Sequence, residues 1–372
     1  MSVIARCPSC GASYTPDARF CPKDGTKLVA DQFHEPAVPP ASHAAPRVVH
    51  RVVPRPPAAP AAPPLRRGTP PVANQASLAG TTLDGRYHVS KKIGEGGMSF
   101  VYLADDATTG ERVAIKILAP KLATDPTAMA RLRREAELGG RLAHPNVCHI
   151  IRLGETADGR VYIVMPFLQG ELLCDRESRV GHIPLAEALP LIGHIAAGLG
   201  VAHALGIIHR DLKPENVMLC PAPDGSERAV VMDFGLAKER VLGGDLQKLT
   251  ATGIVLGTPE FMSPEQLRGK PLDARTDIYA LALLAFEMLT GKLPFAGKTQ
   301  QDVMIARLKG DPIPIRDMRP ELKFPAAVER VLMRGMQREP MQRYATAAEL
   351  ATALTDAAQS DSNGMLDRLF GR

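Results

Sequence analysis

The sequence predicts an α+β fold of two unequal lobes, a small β-rich one followed by a larger α-helical one, with a short cysteine-bearing module and a linker in front. Three observations predict it. Apolar runs of strand length alternate with turns after Thr82, helix signals dominate from Pro184 onward, and Cys7, Cys10 and Cys21 cluster ahead of a segment dense in proline and alanine. Of the 372 residues, 45% are hydrophobic and 23% charged, the balance of an ordinary globular chain.

The order along the chain is a module over 1–30, a Pro/Ala/Arg-rich disordered linker over 31–80, a folded domain over 84–354 and a short tail over 355–372. The linker has no hydrophobic period that a helix or strand uses, and proline keeps such a chain semi-extended at roughly 3.1 Å per residue. In the domain, Tyr87 to Ile93, Phe100 to Asp105 and Arg112 to Leu118 read as strands, a helix follows over about 127–142, and strand-like runs return around Ile150 and from Val161 to Phe167. The apolar run from Ile278 to Met288 is interrupted by Glu287 and falls short of the roughly 18 to 20 residues of a membrane span. With no secretory start visible at Met1, the expectation is a cytoplasmic protein without a membrane segment. The formal net charge of +5 is explained by five arginines and no acid between Pro36 and Leu83, so a basic nucleic-acid face on the folded part is not expected. Cys148, Cys174 and Cys220 stand alone in apolar surroundings and read as buried thiols.

Between the first two strands lies Gly94-Glu95-Gly96-Gly97-Met98-Ser99, followed by Phe100-Val101. Glycine there lets the backbone approach phosphates, although such a hairpin is often only a turn; a dinucleotide fold would place a helix after it instead of a strand. Val113-Ala114-Ile115-Lys116 puts one lysine on the next strand, and Glu135 in the following helix is the candidate carboxylate to hold it. His209-Arg210-Asp211-Leu212-Lys213-Pro214-Glu215-Asn216 comes later, with Asp233-Phe234-Gly235 beginning seventeen residues after Asn216. Phosphoryl transfer needs a proton acceptor, cations on the phosphates and oxygen ligands for magnesium, and this stretch offers each.

Over roughly residues 84 to 354 these ordered motifs resemble the bacterial branch of the eukaryotic-type (Hanks-type) serine/threonine protein kinases. The resemblance implies the bilobal protein kinase fold, ATP with Mg2+ or Mn2+, and protein substrates. It implies that Asp211 orients the acceptor hydroxyl and takes its proton, that Lys213 contacts the transferring phosphate, and that Asn216 and Asp233 hold magnesium. Lys116 would grip the phosphates, paired with Glu135 in the active state. Gly94, Glu95, Gly96, Gly97, Met98, Ser99, Val101 and Ala114 would enclose the nucleotide, with Met165 as gatekeeper and the backbone of Pro166 and Leu168 on adenine. Lys213 and Thr258 favour serine or threonine as acceptor. Glu265 would pair with Arg343, Asp277 would brace the catalytic loop, and Thr250 and Thr252 are candidate autophosphorylation sites facing Arg210. Ser99 stands where the family has a third loop glycine, Pro166 at a hinge position that is often acidic, Ala282 at a common glycine, and Gly139 where an apolar residue often packs, which suggests a mobile helix around Glu135.

Cys7-Pro8-Ser9-Cys10 and Cys21-Pro22-Lys23-Asp24 have the two-knuckle pattern of a zinc ribbon, with Asp24 where a fourth cysteine is usual. A segment this short lacks the apolar surface to fold alone, so Zn2+ held by Cys7, Cys10, Cys21 and Asp24 is the expected source of its stability. The alternatives are a pseudokinase, which predicts loss of Lys116, Asp211 or Asp233 where all three are present, and a binding scaffold in which the ribbon or linker carries docking partners.

Overall fold

The computed structural model describes residues 4–6, 13–14, 29–31, 78–96, 99–118, 126–156, 158–234 and 259–370. The chain divides into two units, Met1–Val72 and Ala73–Arg372. In the first, β1 (Ile4–Arg6), β2 (Ser13–Tyr14) and β3 (Val29–Asp31) form an antiparallel sheet in the order β2-β1-β3. The expected zinc ligands Cys7, Cys10, Cys21 and Asp24 lie outside the described residues, as do Gly97, Met98, Thr250, Thr252, Thr258 and most of the 31–80 segment.

The second unit begins with a six-stranded antiparallel sheet of β4 (Thr82–Leu83), β5 (Tyr87–Gly96), β6 (Ser99–Asp106), β7 (Arg112–Leu118), β8 (Arg152–Glu155) and β9 (Val161–Pro166), in the order β4-β5-β6-β7-β9-β8. Side chains alternate between faces along a strand. Val113, Ile115 and Ile117 therefore join Tyr87, Tyr102 and Tyr162 in one core, while Lys116 and Leu118 face the other way. Leu118, Val161 and Ile163 meet Leu132 of α1 (Pro126–Gly140) in a second, smaller core. The strand expected around Ile150 starts only at Arg152, because Ile150 packs side-on against Gly139 of α1, where a Cβ would stand 2.9 Å from its Cδ1.

The helical lobe holds β10 (Glu171–Leu172), α2 (Leu173–Val180), α3 (Leu185–Ala204), β11 (Val217–Pro221), β12 (Glu227–Val231), α4 (Pro264–Leu267), α5 (Arg275–Thr290), α6 (Gln300–Lys309), α7 (Ile315–Met318), α8 (Ala326–Gly335) and α9 (Ala347–Phe370). The expected tail boundary at residue 355 falls inside α9, whose Leu354 and Ala357 are buried in the main core. Every residue from Ile278 to Phe286 is buried, so α5 has no polar face and serves as the axis on which α3, α8 and α9 pack. Ala282 faces Gly335 of α8, where a Cβ would come within 2.6 Å of the alanine methyl, so the close approach here is made possible by the glycine of the partner helix. α3 is long and apolar enough to cross a membrane by length and composition alone; Leu191, Ile192, Ile195 and Leu199 lie in the lobe core.

The lobe is tied at its base by Glu265 and Arg343, both buried. Arg343 Nη1 donates to Glu265 Oε1 (2.6 Å) and Nη2 to Oε2 (2.8 Å), while its remaining N–H groups reach the carbonyls of Gln337, Arg275 and Arg338. Thr276 Oγ1 also donates to Glu265 Oε1 (3.0 Å). Burial pushes the Glu265 carboxyl up, but the Arg343 hydrogen bonds and charge outweigh it and hold the group below the ordinary glutamate value. A depressed carboxyl contributes stability above its unfolded pKa of about 4.3 and loses it as the pH falls through the folded value. Arg343→Met is expected to destabilise the domain by about 3–5 kcal/mol, because it strands a buried carboxylate, and Glu265→Gln should lessen the loss of stability on acidification. Thermal unfolding against pH measures both; unchanged melting of Arg343→Met would refute the dependence.

Candidate active site

The site is assembled around one carboxylate. Asp277, in the first turn of α5 and 0% exposed, accepts from the backbone N–H of His209 (Oδ2, 2.7 Å) and of Arg210 (Oδ1, 2.9 Å), and Oδ2 lies 2.7 Å from His203 Nε2 at the end of α3. Two consecutive amides on one buried anion fix the direction in which the next residue, Asp211, leaves the loop. His209 is itself oriented at both ring nitrogens. Nδ1 accepts the Asp211 N–H (3.2 Å), so Nε2 carries the proton and donates to the Met232 carbonyl (2.8 Å). Phe234 sets its ring against the imidazole at 4.8 Å and 64°.

Arg210 and Asp233 adopt left-handed backbone, with φ of 64° and 57°. For a long side chain this conformation is costly and persists only when its neighbours hold it. Arg210 is held from both ends, its N–H by Asp277 and its carbonyl by Gln266 Nε2 (2.8 Å). The turn at Asp233 ends β12 and brings its carboxylate to Lys116, whose Nζ lies 2.6 Å from Oδ2. Asn216 closes the other side. Its Nδ2 donates to the Asp211 carbonyl (2.7 Å) and lies 3.4 Å from Oδ2, and Lys213 Nζ is 3.6 Å from the same carboxylate oxygen. The Met232 N–H donates to the Asn216 carbonyl (2.9 Å), which joins the Asp211 group to the Asp233 group.

Above this floor, Gly94 pairs with Val101 and Gly96 with Ser99, so β5 and β6 form the expected hairpin, with irregular register at Val89/Lys91 and Lys92/Gly94. Lys92 Nζ lies 2.7 Å from Glu95 Oε2 on the exposed side of that hairpin. Ala114 pairs with Met165 and Val113 with Pro166, which sets the hinge that leads to Leu168 beside the lysine strand. Behind Met165 a small recess is lined by Cys148, Ile163, Asp233 and Phe234. Burial pushes the Cys148 thiol up to about 12, so it is no nucleophile. Cys220 is likewise buried and Cys174 half-buried.

One expected contact is not formed. Lys116 pairs with Asp233 instead of Glu135, which is half-buried on α1. On the same helix, Ile150 fills the gap at Gly139, and Leu132 packs with Leu118, Val161 and Ile163.

A family model described as protein kinase domain matches residues 87–354, which include every element of this site. The chain belongs to the protein kinase family. Among its relatives are the serine/threonine-protein kinase pkn3 of Myxococcus xanthus, 36% identical over 76% of this chain and 52% of its own length, and PrkC of Bacillus subtilis, 35% identical over 76% and 42%. The probable serine/threonine-protein kinase PknB of Corynebacterium glutamicum is 39% identical over 72% and 42%. The chain thus spans about half, or less, of the length of these relatives. The PknI kinase domain of Mycobacterium tuberculosis superposes with a TM-score of 0.61 at 28% identity, covering 76% of this chain and 100% of that domain.

The kinase site also contains residues that the sequence analysis missed. His203 and Gln266 are two; Ser263 and Gln266 make a capping box at α4, a spacing legible in the sequence. The larger omission is a cavity of about 240 Å³ beside the catalytic loop, lined by Glu177, Glu215, Glu260 and Glu287 from four separate elements. Glu177 Oε1 and Glu287 Oε2 are buried there with no hydrogen-bond partner among the described residues. Burial, reinforced by the charges of Glu287 and Glu215, pushes the Glu177 carboxyl up to about 9. Burial, with Glu215 and Glu260, pushes Glu287 up to about 7. A carboxyl raised in this way binds its proton more tightly folded than unfolded, so folding is favoured at low pH and stability falls as the pH rises toward 7 and then 9. The double change Glu177→Gln and Glu287→Gln should flatten this alkaline decline, holding Tm within about 2 °C between pH 6 and pH 9 where the parent protein loses more; parallel Tm profiles for the two proteins would count against the raised carboxyls.

Proposed function

We propose that the chain is an ATP-dependent protein serine/threonine kinase acting in the cytoplasm on protein substrates. The observation that carries this reading is the joining of Asp211, Asn216, Asp233 and Lys116 into one hydrogen-bonded group braced by Asp277. Asp211 accepts the proton of the acceptor hydroxyl as its oxygen bonds to the γ-phosphorus and the bond to the leaving ADP oxygen breaks. Lys213, beside the Asp211 carboxylate, faces the transferring group, and Lys116 supplies the cation for the remaining phosphates. Asn216 and Asp233 offer the hard oxygen donors that suit magnesium, which would neutralise phosphate charge. Among the described residues no three His, Cys, Asp or Glu side chains are grouped to hold a metal on their own. Lys213 and Thr258 support serine or threonine as acceptor, and the relatives named above carry that description.

Regulation is part of the proposal. Phosphorylation of Thr250 or Thr252 would add roughly −1.5 to −2 charges in reach of Arg210 and favour a Lys116–Glu135 pair over the Lys116–Asp233 pair. In front of the kinase, the spacing of Cys7, Cys10, Cys21 and Asp24 supports a zinc ribbon, with the ribbon or linker as a docking element for other proteins.

Asp211→Asn is expected to abolish phosphoryl transfer from ATP while leaving nucleotide binding nearly intact, since the base acts in the transition state. Radiolabel transfer and calorimetry separate the two, and retained transfer would remove Asp211 from its role. The double change Thr250→Ala and Thr252→Ala should lower activity at least about tenfold, roughly 1.4 kcal/mol of barrier, and phosphosite mapping should find phosphate on this segment in the parent protein. A fully active, unphosphorylated segment would place control elsewhere. Metal analysis of the full chain, purified without chelators, should give about one zinc per molecule, falling to none when Cys7 and Cys10 are changed to serine.

A further inference from the structure

Helix α6 is a short polar helix with Ile305 exposed, yet its Arg307 is 0% exposed. Burying a guanidinium is costly unless its N–H groups are bonded. Arg307 Nη1 donates to the carbonyl of Met262 (3.0 Å) and Nη2 to the carbonyl of Glu260, and the group lies over the Phe295 ring at 5.3 Å. Burial pushes the guanidinium below its ordinary value, with Tyr279 and Glu260 opposing. An apolar side chain would fill the same space without that cost, so what arginine adds is direction: a planar fork fixes two carbonyls at once.

Those two carbonyls flank Phe261 in the single 3-10 turn Pro259–Phe261, whose Phe261 is buried in the main core beside α5 while its backbone carbonyls are held by Arg307. Glu260 and Phe261 form part of the wall of the acidic cavity, as do Pro214 and Glu215, three and four residues after Asp211. The segment that follows is tied at two further points, by Gln266 to the Arg210 carbonyl and by Glu265 to Arg343. A polypeptide that presents a hydroxyl to Asp211 must run past this wall. We propose that Arg307 is a positioning residue for the acceptor polypeptide, holding the Glu260–Met262 backbone at the spacing from the catalytic loop that the acceptor requires. The assignment rests on the kinase reading above. It concerns acceptor binding, because the carbonyls that Arg307 holds belong to the wall segment and not to a group assigned to ATP.

The test uses the full chain with Arg307→Met and Arg307→Lys, and as acceptor a synthetic peptide of residues 245–257, which contains Thr250 and Thr252. Arg307→Met is expected to raise the KM for the peptide at least about tenfold while the KM for ATP stays within about twofold, with Arg307→Lys between the two proteins because an ammonium lacks the fork. Hydrogen exchange of the amides at 260–263 should be at least about tenfold faster in Arg307→Met, with the amides of α5 unchanged. Unchanged peptide KM with unchanged exchange overturns the proposal, as does an equal rise in the KM for ATP with loss of α5 protection, which marks general destabilisation. If Arg307→Met does not fold, the lysine variant carries the same comparison, and parent-like values in it overturn the proposal. Should the parent protein transfer no phosphate to the peptide or to itself, the kinase reading and the acceptor role both fall, and the exchange measurement still decides whether Arg307 pins the wall.

Discussion

Everything in the catalytic floor depends on the buried carboxylate of Asp277. An ionised group without solvent is tolerable only when it is fully bonded, and here the bonds come from the backbone of the loop it supports and from His203. The dependence runs both ways. The loop amides need an acceptor to hold Arg210 in its left-handed conformation, and the carboxylate needs those amides to stay buried. Because Asp277 sits on the most deeply buried helix of the domain, the stability of the core and the geometry of Asp211 are one quantity seen from two ends.

The same economy governs Glu265 and Arg343. All five N–H groups of the guanidinium are used, two on the carboxylate and three on carbonyls, so the pair neutralises charge and also closes the backbone of an irregular stretch between α8 and α9. The four glutamates of the cavity are the opposite case. Their charges are close, and two of their oxygens are buried without partners among the described residues, so protons take the place that a cation fills at Glu265.

What the sequence revealed follows the range of the interactions. β7 was legible to the residue because its alternation is local, and the same alternation put Lys116 on the correct face. Asp211, Asn216 and Asp233 were legible from their company in short ordered motifs. The Lys116–Asp233 pair was not, because it joins residues 117 positions apart, and neither was the packing of Ile150 against the helix glycine Gly139. The apolar character of Ile150, taken as a strand signal, came from that same packing. The acidic cavity was invisible because Glu177, Glu215, Glu260 and Glu287 lie far apart in sequence and become neighbours only through the fold. The family match ends at 354, where the sequence places the end of the domain, while α9 runs on past it without a break.

The absence of a polar face on α5 also sets an order of events for a chain made from one end. Alone in water this helix would expose apolar surface on every side, and helical lengths of this kind gain their stability from packing, not propensity. Its cover comes from α3, already synthesised, and from α8 and α9, which are not: Leu332, Leu350, Leu354 and Ala357 complete the same cluster. While the ribosome is still adding α8 and α9, the finished upper sheet is joined to a helix with nowhere to bury itself. The nascent lobe therefore stays open, and in need of protection from aggregation, until about the last helix has emerged.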